Sequence, residues 1–334
     1  MDQPNSFREI LNNLSPDCEI LYVLPAFSEQ RKTSDYLYLL HKEMILGKEK
    51  PKVVGIPEWQ YHHLTWSAMI NKESVVHCNW IEARDYRSLA RILYLWLCLI
   101  FYKRKGGKIV WTIHNKVPQG RSVRWLNRKL QKWLTGKADV LRVHCKTAAA
   151  EMADYLHIDE SRFTILPHPR FPAYLLPRTA AIEAINQRFG FSLQSRNQIY
   201  LMFGNIGSHK QIIETIDIFQ ELSVNKKLLI VGPVKQGHLK YYHKIKKLLK
   251  KTRPDIYILP KVIKADIVPE FFNAADFCVF NYGDILTSGG VELARSYQKA
   301  IIAPAKGCLK EMEDNENVNL FRTGEEFKKL LTDS

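Results

Sequence analysis

Short apolar runs alternate with helical patterns from one end of the chain to the other. Runs at Glu19–Leu24, Lys52–Ile56, Ser74–His77, Lys108–Ile113, Val140–His144 and Phe163–Leu166 have the length and β-branched content of buried strands. The alternation restarts at Gln198–Phe203 and continues through Lys227–Val231, Ile256–Leu259, Phe277–Phe280 and Ala300–Ala303. Strands alternating with helices predict parallel sheets covered by helices. A proline-punctuated stretch from Pro167 to Pro177 separates the two series and reads as a linker. The pattern predicts an α/β chain of two Rossmann-like, doubly wound parallel-sheet domains facing a cleft, residues 1–170 and 171–334. Ligands of such sheets bind beyond the carboxyl ends of the strands, so the loops that follow strands matter most.

The loop after Phe277–Phe280 is the most informative. It runs into a small-residue turn, Thr287-Ser288-Gly289-Gly290, that opens a helix with Glu292 in its first turn. Unpaired amides at a helix start, beside residues small enough for close approach, make a seat for phosphate. A carboxylate is unwelcome beside phosphate, so Glu292 fits sugar hydroxyls better. Asp284 lies eight residues earlier on the incoming loop. Diphosphate in the turn and ribose on the acid predict a nucleotide-sugar site.

A second loop, Gly204 to Gln211 (GNIGSHKQ), follows the first strand of the second series. Its Lys210 sits at a helix start, where the macrodipole disfavours a cation and an anionic ligand removes the conflict. In the first series, Trp111 to Asn115 ends a strand and places His114 and Asn115 at the cleft edge. His77, His144 and His168 also end strands or the linker, without further support for catalysis. The glycine-free loop from Leu24 to Tyr36 is too polar for core and offers Glu29 and Asp35 on the acceptor side.

Charge narrows the partners. The net charge of +15 fits nucleic acid, anionic lipid or a polyphosphate ligand. Arg121 to Lys137 interleaves basic residues with Trp125, Leu126, Leu130, Trp133 and Leu134 at helical spacing. Such a helix either faces a core or lies in a bilayer interface, with Trp125, Arg128 and Trp133 as its membrane face. Leu93 to Tyr102 is continuously apolar but well short of the ~20 residues that span a bilayer. Lys240 to Lys251 reads as an ordinary surface helix. Six scattered cysteines, with no C-x-x-C pair, read as reduced core residues of a cytoplasmic protein. The amino terminus carries no apolar run of a secretory signal.

Together these residues resemble bacterial glycosyltransferases of the two-Rossmann (GT-B) architecture, in the broad group of family 4 enzymes. The resemblance covers essentially the whole chain. The group's F-x-G-R-[IL]-x-x-x-K-G loop appears as Phe203 to Gln211, its E-x7-E signature as Asp284 and Glu292, and its A-x-G-x-P-V-I-A segment as Ala294 to Ala303. The pieces VVHCNWIE, VWTIHN and LPHP look like a subgroup that makes bacterial surface polysaccharides. The resemblance implies that Lys210 binds the donor diphosphate, Glu292 the ribose and Asp284 the transferred sugar. It implies that His114 contacts that sugar, that the Ser288, Gly289 and Gly290 amides take the distal phosphate, and that Val262 lies near the nucleobase. No metal is implied, because a lysine and a helix dipole offset the leaving group's charge. Four positions depart from the group: Asn205 for Arg, Asp284 for Glu, Gln211 for Gly and Lys299 for Pro.

The reading is a hexosyltransferase that moves a sugar from a nucleotide-sugar donor to a lipid-linked oligosaccharide in surface polysaccharide biosynthesis. It implies no cofactor, and peripheral association with an anionic membrane at the inner face of the cell membrane. The alternatives are a nucleotide-sugar epimerase of the same architecture, for which no carboxylate pair stands out, and a basic nucleic-acid-binding protein. No RNA- or DNA-binding motif supports the last, so no nucleic-acid partner is expected.

Overall fold

The computed structural model describes residues 3–28, 35–70, 73–83, 86–116, 124–223, 225–251 and 255–334. The chain divides into two compact units, Met1–Pro169 and Arg170–Ser334.

The first unit carries a sheet of β1 (Ile20–Leu24), β2 (Lys52–Gly55), β3 (Ser74–Cys78), β4 (Lys108–Thr112), β5 (Val140–Val143) and β6 (Phe163–Ile165). All pairings are parallel, in the order β2-β1-β3-β4-β5-β6. Consecutive apolar residues such as Val75 and Val76, or Ile109 and Val110, are fully buried. Strands covered on both faces require that pattern. The helices are α1 (Phe7–Leu14), α2 (Tyr36–Leu46), α3 (His62–Met69), α4 (Leu89–Arg104), α5 (Arg124–Lys137) and α6 (Lys146–Leu156).

Two expectations change here. Asp35 is a helix cap: its carboxylate accepts from the Tyr38 amide at 3.1 Å and the Ser28 amide at 3.0 Å. Both oxygens are engaged at the start of α2, as an N-cap carboxylate's are. Helix α5 turns Leu126, Leu130 and Leu134 into the core, so the apolar stripe of the proposed membrane face is a packing face. Trp133 is half-buried with its ring 6.3 Å from that of Trp96, while Trp125 and Arg128 remain exposed. Glu29 and Arg121 lie outside the described residues.

The second unit carries β7 (Gln198–Phe203), β8 (Lys226–Val231), β9 (Ile256–Leu259), β10 (Phe277–Val279), β11 (Ala300–Pro304) and β12 (Val318–Phe321), all parallel, ordered β12-β11-β10-β7-β8-β9. Its helices are α7 (Arg178–Phe189), α8 (Ile212–Phe219), α9 (Leu239–Leu249), α10 (Val268–Ala274), α11 (Gly289–Ser296) and α12 (Gly324–Asp333). Side-chain alternation splits the core into two layers. Ile199, Leu201, Leu229 and Val231 pack with Phe271, Phe272 and Val291 on one face. Tyr200, Met202, Leu228 and Ile230 pack with Ile216, Phe219, Ile245 and Phe327 on the other. Strand β12 was not anticipated: it is short and interrupted by Asn319, and its pairing with β11 defines it.

Cys18, Cys78, Cys98 and Cys278 are free and buried, as core thiols. Among the described residues no helix is long and apolar enough to cross a membrane.

Candidate functional site

In the second unit β7 stands between β8 and β10. The chain leaves β7 toward β8 and leaves β10 toward β11, so the loops beyond these two neighbours diverge. Such a switch point opens a crevice at the carboxyl ends of the strands, the place where doubly wound sheets bind nucleotides. Both loops singled out from sequence lie there. They are tied together, since the Gly283 amide donates to the His209 carbonyl at 3.0 Å.

The β7 loop is shaped around a lysine. Gly204 adopts φ +99, and a Cβ there would lie 3.1 Å from the Lys210 ammonium. Gly232 follows β8, and a Cβ at that position would meet the Gly204 carbonyl oxygen at 2.4 Å. The two glycines let the loops close over the Lys210 side chain, which is only 7% exposed. Its ammonium donates to the Phe203 carbonyl at 2.5 Å. Among the described residues no carboxylate pairs with it. Burial pushes its pKa down to about 7, because an unpaired charge away from water favours its neutral form. Gln211 takes the left-handed conformation, φ 45. Glycine is the residue that fits this backbone state, which explains the group's Lys-Gly pair. Asn205, where the group carries Arg, is exposed.

The β10 loop forms the other wall. Ser288 caps α11, its hydroxyl accepting from the Val291 amide at 3.2 Å and lying 3.0 Å from the Tyr282 hydroxyl. The Glu292 amide bonds the Ser288 carbonyl. Among the described residues the Gly289 and Gly290 amides carry no hydrogen bond, so two helix-start donors stay available to an anion. Gly289 is exposed, and Thr287 and Gly290 are half-buried. A Cβ on Gly290 would approach Phe280 to 3.1 Å. Asp284 is exposed beside the Gly283 carbonyl, which accepts from the Lys306 ammonium at 2.7 Å.

Glu292 is less open than the sequence suggested. Both carboxylate oxygens accept from the Arg295 guanidinium, at 3.2 and 3.0 Å. The side chain lines a cavity of about 280 Å³ with Arg170 and Arg295. Burial raises its pKa, while Arg295 and Arg170 oppose the rise. An ionised carboxylate retains lone pairs for hydroxyl donors after such a pairing. Val262, expected near the nucleobase, is 65% exposed beyond β9.

In the first unit His114 ends β4 as predicted, but buried and fully bonded. Arg142, on β5, is completely buried. It donates to the Tyr36 hydroxyl at 2.6 Å, the Leu166 carbonyl at 2.9 Å and His144 Nδ1 at 3.5 Å. A guanidinium only donates, so His144 Nδ1 accepts and its Nε2 carries the proton. That Nε2 donates to His114 Nδ1 at 3.4 Å, and His114 Nε2 donates in turn to Asn79 Oδ1 at 2.9 Å. Both nitrogens of His114 are therefore engaged. Burial first, then the Arg142 charge and His168, holds its pKa well below the ordinary histidine range. His114 is a neutral, fixed ring, not a poised base. His77 bonds Thr112 and His41 in the same interior and is structural. Asn115 is half-buried beyond His114. Arg142 was missed from sequence, because a basic residue within a strand carries no motif.

Among the described residues no three His, Cys, Asp or Glu side chains are grouped to hold a metal.

No family model matches the chain, and no curated protein matches it. Solved structures do. The chain is similar to HepE from Anabaena, crystallised in complex with UDP and glucose, at 12% identity and TM-score 0.69, over 93% of this chain and 88% of that one. It is similar to a glycosyltransferase from Rickettsia africae at 16% identity and TM-score 0.63, over 94% and 87%. A third likeness is to WaaG, a glycosyltransferase involved in lipopolysaccharide biosynthesis, at 15% identity and TM-score 0.57, over 94% and 90%. Identities this low establish the fold, and the fold is GT-B.

Proposed function

We propose that this chain is a nucleotide-sugar-dependent hexosyltransferase. The observation that carries the reading is Lys210: a buried ammonium with no carboxylate partner among the described residues, at the switch point of a Rossmann-type sheet. At the start of α11, beyond the neighbouring strand β10, the Gly289 and Gly290 amides, unpaired among the described residues, supply further donors for an anion. A leaving nucleoside diphosphate satisfies both, and these groups stabilise the negative charge that develops as the glycosidic bond to phosphate breaks. Glu292 holds the ribose and Asp284 the transferred sugar. His114 shapes the sugar side of the first unit rather than moving a proton, since both of its nitrogens are engaged.

The acceptor is a lipid-linked oligosaccharide of surface polysaccharide biosynthesis, met at the inner face of the cell membrane. Support for the membrane part comes from apolar groups left in solvent. Trp66 and Met69 on α3, the adjoining Ile70, Leu93 and Leu97 on α4, and Trp125 on α5 are all exposed. Helix α3 carries no Asp, Glu, Lys or Arg and packs on α4, and large apolar side chains left exposed on adjoining helices mark an interaction site. The net charge of +15 suits an anionic bilayer.

Thermal-shift screening against UDP-, GDP-, ADP- and CMP-sugars tests the donor claim. One donor class raises the melting temperature, and Lys210→Met diminishes the effect. No shift with any of them, at millimolar ligand, would defeat the reading.

A further inference from the structure

The first unit has a switch point of its own. Strand β1 leads to β2 on one side, and β3, its neighbour on the other, leads to β4. Trp80 stands two residues beyond β3, at that divergence. Its anchor is Asn79, whose amide donates to the Leu24 carbonyl at the end of β1, 2.8 Å away.

Three features set Trp80 apart from an ordinary surface tryptophan. Its backbone is left-handed, φ 41, a state that is an outlier for a bulky side chain and that clusters at functional sites. One face of its indole is stacked on His114, with ring centroids 4.0 Å apart and planes at 17°. Tyr36 meets it edge-on at 5.5 Å. His114 is itself held at both nitrogens, so the platform is rigid. Yet 41% of Trp80 remains exposed. Trp66, by contrast, lies within helix α3 in helical backbone.

We propose that Trp80 is the stacking platform for a sugar ring of the acceptor, an inference that rests on the glycosyltransferase reading above. A pyranose presents a flat face of C–H groups ringed by hydroxyls. The C–H face covers the open side of the indole and leaves water. The hydroxyls meet polar side chains at the same sheet edge, among them the half-buried Asn115 and His168. A rigid aromatic surface binds with little loss of side-chain freedom, which accounts for a strained backbone being kept there.

The test uses the full chain on an array of immobilised oligosaccharides, in saturating donor nucleotide. Wild type, Trp80→Gly, Trp80→Phe and Trp66→Ala are compared. Wild type retains a subset of glycans, Trp80→Gly weakens that binding at least about tenfold, and Trp80→Phe and Trp66→Ala stay close to wild type. The nucleotide-induced rise in melting temperature is the same in all four proteins. The proposal is overturned if Trp80→Gly binds glycans as wild type does. It is equally overturned if wild type retains none while still responding to nucleotide. Absence of any nucleotide response in wild type is a different failure, that of the donor reading.

Discussion

The ammonium of Lys210 donates to the carbonyl of Phe203 from within the fold, 2.5 Å away. That carbonyl is its one protein acceptor among the described residues, which leaves a cation in the interior without a counter-charge. Folded proteins rarely tolerate such a group without a use for it. Several measurable consequences arise from this pairing and from the neutral histidines of the first unit.

Removing the charge should stabilise the empty protein. Lys210→Met keeps the apolar stem and removes the buried cation, so unfolding becomes harder by about 1–3 kcal/mol at neutral pH. Melting curves without ligand check this; a lower melting temperature for the variant speaks against an uncompensated charge.

Binding of a nucleoside diphosphate should take up a proton. The Lys210 pKa is lowered to about 7 by burial, and the bound diphosphate raises it again. The Lys210 contribution to affinity is flat below that pH and falls by about tenfold per unit above it, until the pKa of the complex is reached. Without ligand the sign is opposite for stability. Between the folded pKa and the ordinary 10.5, the unfolded chain holds a proton that the folded one lacks, so stability rises with pH. Calorimetry in buffers of different ionisation heat, at pH 8, reads the uptake.

Gln211→Gly should relieve strain. At φ 45 the left-handed conformation is unfavourable for a side chain by roughly 1–2 kcal/mol, and glycine adopts it freely. The variant melts higher and keeps its nucleotide affinity. An unchanged or lower melting temperature places the strain elsewhere.

Acid should unfold the first unit early. Burial is the largest cause holding His41, His77, His114, His144 and His168 below the usual histidine range. Below about pH 6.5 the unfolded chain protonates at each of them and the folded one does not. Each therefore withdraws up to about 1.4 kcal/mol per pH unit. Urea titrations from pH 7 to 5 should show the loss. Nitrogen-15 spectra at pH 6 should find His144 and His114 neutral and protonated at Nε2. A His114 that titrates near 6.5 contradicts the bonded chain from Arg142.

Much of the fold was legible because buried parallel strands read as apolar runs, and eleven were placed to within a residue or two. The glycine loops were legible for the same reason that they work: Gly204 and Gly290 stand where a side chain would crowd Lys210 or Phe280. The remainder depended on tertiary context. One apolar periodicity serves a core helix and an interfacial one alike, and only the packing of Leu126, Leu130 and Leu134 decided for α5. The aspartate before Tyr36 looked like a cleft carboxylate because capping oxygens and ligand oxygens are the same atoms. Arg142 and the left-handed Trp80 left no local trace, since both gain their meaning from strands far away in sequence.

The most direct measurement is isothermal calorimetry of wild type and Lys210→Met with the nucleoside diphosphate that thermal shift identifies. The expected result is stoichiometric binding by wild type, weakened about a hundredfold in the variant (~2.7 kcal/mol), with the variant folded and at least as stable. Equal affinity in both proteins, or no binding by wild type at any pH between 6 and 9, would contradict a phosphate seat built on that buried ammonium.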